Sequence, residues 1–289
     1  MTHKSIKVLV LGVTGMLGNT VLRLFSNSAG FVVVGAARST STQQLLPAHL
    51  TDRVIWGVDL EPADSLINLF SKVQPNVVIN CIGLVKQHAD TDDPLVAIPI
   101  NTLLPHRLAR LCGVTGASLI HISTDCIFSG AKGMYTEGDM SDAQDLYGRS
   151  KFLGEVDYPH AITLRTSIIG HELNGGRSLL GWFLSQQGRV KGFKRAIFSG
   201  LPAVELATVI RDYVIPHPEL HGVYHVSSDP INKFDLLTLI SNVYGKKIGI
   251  DSDDNFIIDR SLDSTRFRDA TGYQPQPWPE LVRRMSQFA

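Results

Sequence analysis

The sequence predicts an α/β fold: a doubly wound parallel sheet with helices on both faces, and a smaller C-terminal segment capping it. Three observations lead there. Several short β-rich runs are apolar on consecutive residues, as strands buried on both faces are. Stretches of helical periodicity alternate with them, and a glycine-rich turn follows the first run directly.

Taken in order, Lys7–Leu11 is the first strand and Asn19–Ser26 the first helical stretch. Phe31–Ala36 is a second strand and Val54–Val58 a short third. Leu66, Leu69, Phe70 and Val73 then fall on one helical face within 64–73. Asn76–Cys81, Ser118–Ile122 and Ala161–Leu164 read as strands four to six, with helices over Asn101–Leu111 and Tyr147–Val156 between them. From Gly170 the rhythm loosens. Glycines at 170, 175, 176, 181, 188 and 192 mark loops, followed by helices near 203–214 and 233–243. Pro275, Pro277 and Pro279 precede a last short helix. No Pro/Gly/Ser linker or repeat divides the chain, so residues 1–169 are expected to form the sheet-bearing part and 170–289 mainly the cap, with a boundary at which segments can interleave.

Composition narrows the function by exclusion. The chain has 289 residues, and its 27 Lys and Arg balance 27 Asp and Glu. That balance lacks the basic excess that displaces counterions from nucleic acid. No apolar run reaches the roughly 18 residues of a spanning helix, so no membrane partner is expected. The start, with Lys4 and Lys7 before Val8–Leu11, imitates a secretion signal but breaks at Gly12 and reads better as a buried strand. Three cysteines suit a reducing compartment, and a cytoplasmic location is expected. No His or Cys spacing of zinc-binding type occurs, so no metal is expected.

The turn Gly12-Val13-Thr14-Gly15-Met16-Leu17-Gly18 has G-x-x-G-x-x-G spacing between strand and helix. Glycines let the backbone approach a pyrophosphate, and the helix N-terminus offers free N–H groups and positive dipole. The same three-glycine pattern also occurs in plain tight turns, but inside a βαβ repeat it indicates a Rossmann-like dinucleotide site. After the second strand stands Ala36-Ala37-Arg38-Ser39, without the carboxylate that would take a ribose 2′-hydroxyl. A guanidinium there suits a 2′-phosphate, which favours NADP(H) while leaving NAD(H) open; the alternative is a solvated loop arginine. Asp59-Leu60 and Cys81-Ile82-Gly83 sit in the loops after strands three and four and complete the expected cofactor contacts.

Tyr147 and Lys151 lie four apart on one expected helical face, and Ser123-Thr124-Asp125 ends strand five. Together with the nucleotide loop these make a coherent oxidoreductase. Lys151 lowers the pKa of Tyr147, Tyr147 gives a proton to a carbonyl oxygen, and Thr124 hydrogen-bonds that oxygen.

Gly12–Gly18, Asn80–Gly83, Ser123–Asp125 and Tyr147–Lys151 together resemble the extended short-chain dehydrogenase/reductases. Within them, Ser-Thr-Asp-Cys-Ile-Phe-Ser-Gly (123–130), Tyr135-Thr136-Glu137, Leu146–Glu155, Leu164–Ser167 and Leu262–Thr265 are most similar to the dTDP-4-dehydrorhamnose reductase group. The resemblance implies NAD(P)H-dependent reduction of the 4-keto group of a nucleotide-activated 6-deoxysugar, in deoxysugar or polysaccharide synthesis. It also implies the roles of Thr124, Tyr147 and Lys151 given above. Two departures bear on substrate: Cys126 stands where the group usually has Tyr, and Gly83–His88 replaces the usual small-residue and hydroxyl run. No Glu follows Asp125, which argues against the dehydratases of that superfamily. An epimerase that retains its NAD(P), and a non-catalytic NADP-bound regulatory subunit, are the rival readings. A homodimer is compatible with each.

On the substrate side, Lys86, Asp125, Cys126 and Arg266 are the candidates, Lys86 reading equally as a solvated loop residue. Cys126 reads better as a small buried thiol than as a nucleophile. Arg268, Lys191, Lys194 and Arg195 join Arg266 as cap-side donors for a pyrophosphate. Arg165 either reaches the ligands or braces the sheet.

Overall fold

The computed structural model describes residues 5–84, 92–174 and 176–289. Strand β1 (Ile6–Leu11) runs through the glycine turn into helix α1 (Met16–Ser26) and on to β2 (Phe31–Ala37). A short helix α2 (Ala48–Thr51) precedes β3 (Val54–Trp56), and α3 (Ala63–Val73) leads to β4 (Val77–Asn80). Next come α4 (Pro94–Ala97), α5 (Leu104–Thr115), β5 (Ser118–Thr124), α6 (Leu146–Leu153) and β6 (Ala161–Thr166).

In the last third, β7 (Ile168–Ile169) and α7 (Leu179–Ser185) precede β8 (Arg189–Phe193), β9 (Ala196–Phe198) and β10 (Leu201–Pro202). Helix α8 (Ala203–Val209), β11 (Gly222–His225), β12 (Ile231–Asn232) and α9 (Lys233–Tyr244) follow. The chain closes with β13 (Gly249–Asp253), β14 (Ile258–Asp259), α10 (Thr265–Thr271) and α11 (Trp278–Gln287).

Seven strands form one parallel sheet in the order β11-β6-β5-β4-β1-β2-β3, a Rossmann-like doubly wound arrangement. The consecutive apolar residues of β1 divide between two cores, as a period-2 strand requires. Val8 and Val10 join Val21, Leu22 and Phe25 of α1, Leu206 of α8 and Leu281 of α11. Leu9 and Leu11 join Leu66, Leu69 and Phe70 of α3 and Leu104 and Leu108 of α5. The chain order reverses between β1 and β4, which opens a crevice at the strand C-termini.

All six expected strands are present, with bounds shifted by a few residues. A seventh, β11, lies beyond Gly170 and pairs with β6 from Gly222↔Ile162 to His225↔Arg165. The helix expected from Asn101 begins earlier, at Pro94, and passes through a π-helical turn over Ile98–Leu103 before α5. Pro105 has no N–H to return to the Asn101 carbonyl, so the regular ladder is broken there. The end of α6 uses that opening: a β-carbon on Gly154 would lie 1.9 Å from the Asn101 oxygen. No described helix is long and apolar enough to cross a membrane.

Candidate active site

The three glycines of the first turn play different parts. Gly12 has φ +80°, and a β-carbon on Gly18 would lie 2.2 Å from the Gly12 carbonyl oxygen, so both are required by the chain's own packing. Gly15 is exposed and would meet only the Gly12 oxygen, at 3.4 Å. It is the N-cap of α1 and offers no side-chain cap, leaving the first N–H groups open to the crevice. That bare, donor-rich cradle fits a dinucleotide pyrophosphate. Thr14 and Met16 flank it, partly buried. Leu17 and Leu60 are core side chains, 4% and 8% exposed, so only their backbones can meet a ligand.

The neighbouring loops converge on the same crevice. Arg38 is exposed just past the end of β2. Asp59 is exposed and accepts from Glu61 N at 3.1 Å, a local turn bond that occupies one of its oxygens. Cys81 N donates to Leu11 O at 3.1 Å, and Ile82 packs so near Gly12 that a β-carbon there would lie 2.9 Å from its Cγ1. Gly83 faces α6: a β-carbon on it would be 3.5 Å from Lys151 Nζ.

Thr124, Tyr147 and Lys151 are brought together around the ends of β5 and α6. Thr124 is buried; its hydroxyl donates to Asp125 Oδ1 and accepts from Cys126 N, both at 3.2 Å. Asp145 caps α6 by accepting from Gly148 N at 2.7 Å, which fixes the turn carrying Tyr147. Burial pushes the Tyr147 phenol above its usual range, while the Thr124 hydroxyl opposes that rise. The expected lowering of the phenol by Lys151 is therefore not what the structure shows: burial, and after it the neighbouring Cys126, raise the phenol. Lys151 is 4% exposed and donates to Ile122 O at 2.7 Å. Burial brings its ammonium down to about 8, opposed by Glu155 and Cys81.

Beside Thr124, Asp125 is buried, and burial raises its carboxyl against the pull of Arg260. Burial, and then the Asp125 charge, push the Cys126 thiol up to about 12, so it is an inert thiol at neutral pH. Two basic residues that the sequence reading passed over face this corner. Arg260 donates from Nε to Phe128 O at 2.7 Å, and its charge acts on both Asp125 and Cys126. Lys233 opens α9 and interacts with the same three groups. Leu262 pairs with Tyr135, and that pairing between segments far apart in the chain draws Arg260 to the site.

Of the other cap-side bases, Arg266 sets its guanidinium 4.4 Å over the Tyr224 ring on β11, and Lys191 pairs with Asp253 at 3.0 Å. Lys194 lies over Phe234, and Arg268 donates to Ser264 Oγ at 3.0 Å. Lys86 lies outside the described residues. Arg165 braces the sheet: it is 5% exposed and grips Glu155 with two nitrogens. Asn101, also unanticipated, bridges the loop after β4 and α6, accepting from Leu84 N at 2.9 Å and donating to Ser150 Oγ at 3.1 Å. A cavity of about 550 Å³ between α3 and α5 contains none of these groups.

Comparison with known proteins agrees with this geometry. A family model described as RmlD substrate binding domain matches residues 6–252. A probable low-salt glycan biosynthesis reductase of Haloferax volcanii is 32% identical over 55% of this chain and 52% of its own length. Methionine adenosyltransferase 2 subunit beta of Rattus norvegicus is 29% identical over 52% of this chain and 41% of its own. The chain thus spans about half the length of these curated relatives. The crystal structure of dTDP-4-dehydrorhamnose reductase from Bacillus anthracis in complex with NADP superposes with a TM-score of 0.79 at 19% identity, covering 99% of this chain and 100% of that one.

Proposed function

The chain belongs to the RmlD substrate binding domain family, and on that premise we propose that it reduces the 4-keto group of a nucleotide-activated 6-deoxysugar with NADPH, NADH being the weaker alternative. The observation that carries the reading is the meeting of three groups: the partly buried Tyr147, the Thr124 hydroxyl at the end of β5, and the buried Lys151 ammonium one turn along α6. A neutral phenol at that place can give the proton that carbonyl reduction needs. When bound, the nicotinamide dinucleotide supplies the hydride. Gly12, Thr14, Gly15 and the N-terminus of α1 would hold its pyrophosphate, Arg38 its 2′-phosphate, and the loops at Asp59 and Cys81–Gly83 its remaining length.

Tyr147 protonates the carbonyl oxygen as the carbon is reduced, and the Thr124 hydroxyl, turned from Asp125 Oδ1, donates a hydrogen bond to that oxygen. Lys151 holds positive charge beneath them. Asp125 and Cys126 line the sugar side, with Arg260 and Lys233 added to Arg266 as basic candidates. Residues 1–169 carry the cofactor and the proton donor in this reading, and 170–289 mainly the sugar-nucleotide cap. The setting is cytoplasmic deoxysugar or polysaccharide synthesis. The similarity to a protein named as an adenosyltransferase subunit favours a second reading, a non-catalytic subunit. A pure binder has no need of the Thr124, Tyr147 and Lys151 set.

The decisive experiment is incubation with NADPH and a panel of dTDP-, UDP- and GDP-4-keto-6-deoxysugars. The reductase consumes one NADPH per sugar reduced. An epimerase changes the sugar with no net loss of NADPH, and a regulatory subunit does neither.

A further inference from the structure

We propose that Glu155 is a positioning residue for Lys151: a carboxylate four residues along the chain, locked in place by Arg165 and Ser123, that keeps the buried ammonium charged. The geometry rests on two consecutive residues of β5. Ile122 gives its carbonyl to Lys151 Nζ at 2.7 Å, and the next residue, Ser123, gives its hydroxyl to Glu155 Oε1, also at 2.7 Å. One strand segment therefore grips both charges. Arg165 fixes the carboxylate from β6, its Nε on Oε1 at 2.8 Å and its Nη2 on Oε2 at 2.7 Å. The remaining nitrogen, Nη1, donates to His225 Nε2 on β11 at 3.2 Å.

Stability alone does not account for this arrangement. Arg165 and Glu155 are 5% and 6% exposed, and an ion pair that deep gains little over apolar residues of equal size. What apolar residues cannot supply is negative charge beside Lys151. The other groups facing that ammonium give no fixed counter-charge. Cys81, past β4, is a thiol raised to about 12 by burial, and His121, on β5, is held neutral by burial and by Lys151 itself. Tyr147, on its own helix, is held protonated by burial. Glu155 remains, and it opposes the burial that lowers Lys151.

The proposal rests on Lys151 acting in the reductase reading, and its test reads the lysine directly. In the cofactor-free protein, the ¹³Cε signal of Lys151, identified by its loss in Lys151→Arg, is titrated by NMR. Glu155→Gln retains the size and an acceptor oxygen but removes the charge, and its midpoint should fall by about one pH unit or more. An unchanged midpoint in a folded Glu155→Gln protein overturns the proposal and leaves the pair a structural brace. If the single variant does not fold, Glu155→Gln with Arg165→Gln removes both buried charges. There the midpoint should still fall, by less, and an unchanged or raised midpoint overturns the proposal. In the reductase assay the alkaline limb of Glu155→Gln should move down by the same interval. A wild-type chain that turns over no sugar, with the NMR shift intact, removes the reductase reading and not the coupling.

Discussion

Gly148 and the carbonyl of Cys126 are in such close contact that a β-carbon on Gly148 would lie 2.4 Å from that oxygen. Ala143 closes the same gap from the other side, at 2.5 Å. This contact seats the first turn of α6 on the turn after β5 and brings Tyr147 to Thr124. Gly148→Ala must therefore lift the helix. Overpacking of this kind destabilises by about 1–3 kcal/mol, and a displacement near 1 Å at the reacting groups lowers turnover about 100-fold. Thermal unfolding and turnover are measured together; a variant with wild-type values for both would show that the contact is soft.

Tyr147→Phe should lower reductase turnover by about 10²- to 10⁴-fold with NADPH affinity nearly unchanged. The phenol is raised above its ordinary value, so it does not limit the alkaline side of the wild-type profile. Lys151, lowered to about 8, does: the rate should fall as pH rises through that value and the ammonium is lost. Lys151→Arg should retain residual activity whose alkaline limb lies higher, because a guanidinium stays charged. A pH–rate series on both proteins decides the point.

Arg38→Ala should weaken NADPH by about tenfold or more and leave NADH nearly unaffected, the expected loss for one charge-assisted hydrogen bond. Calorimetric titration with the two dinucleotides reads this directly. Equal losses would assign Arg38 to the solvated loop.

His225 links stability to acid. Burial, with the Arg165 charge beside it, lowers its imidazole from 6.5 to about 4. It accepts from Arg165 on Nε2, so Nδ1–H donates to Tyr135 O, at 3.0 Å. Between those two pH values the unfolded chain binds the extra proton. Stability contributed by the neutral ring is whole above pH 6.5 and declines through pH 4, by about 3 kcal/mol in full. Urea unfolding from pH 7 to pH 4 should show this, and His225→Gln should reduce the slope by about one proton. An unaltered slope would place the acid sensitivity elsewhere.

Cys126, with its thiol raised to about 12, should react slowly with iodoacetamide at pH 7, and Cys126→Ser should keep most of the turnover. Rapid inactivation by alkylation, with protection by substrate, would restore a chemical role to the thiol.

The sheet was legible in the sequence because each of its first six strands carries its own burial signature: Leu9 and Val10 face opposite cores, so both must be apolar. The Tyr147 and Lys151 pair was legible because its spacing is local. β11 was not, since a four-residue strand with only Val223 and Tyr224 apolar has no period to read, and β7, β10, β12 and β14 are two residues long. Arg260 and Glu155 escaped for another reason. What makes them matter is a neighbour far along the chain, Phe128 for one and Arg165 for the other, and no local pattern encodes that. The same holds for Leu17: its place in the glycine turn suggested a ligand contact, yet the side chain is spent on the core.

The late arrival of β11 has a consequence for biosynthesis. During translation, β6 is made with one edge unpaired, and Arg165 emerges before His225, which accepts its third nitrogen. The apolar face of α1 likewise waits for α8, on which α11 packs, to cover it. A nascent chain ending near residue 169 would therefore present an open strand edge and a bare helix face, both sticky. The half that would grip the dinucleotide cannot mature before the half that would grip the sugar. Ribosome-stalled chains of increasing length should thus become protease-resistant in one step, after residue 285 has cleared the exit tunnel, and not in two.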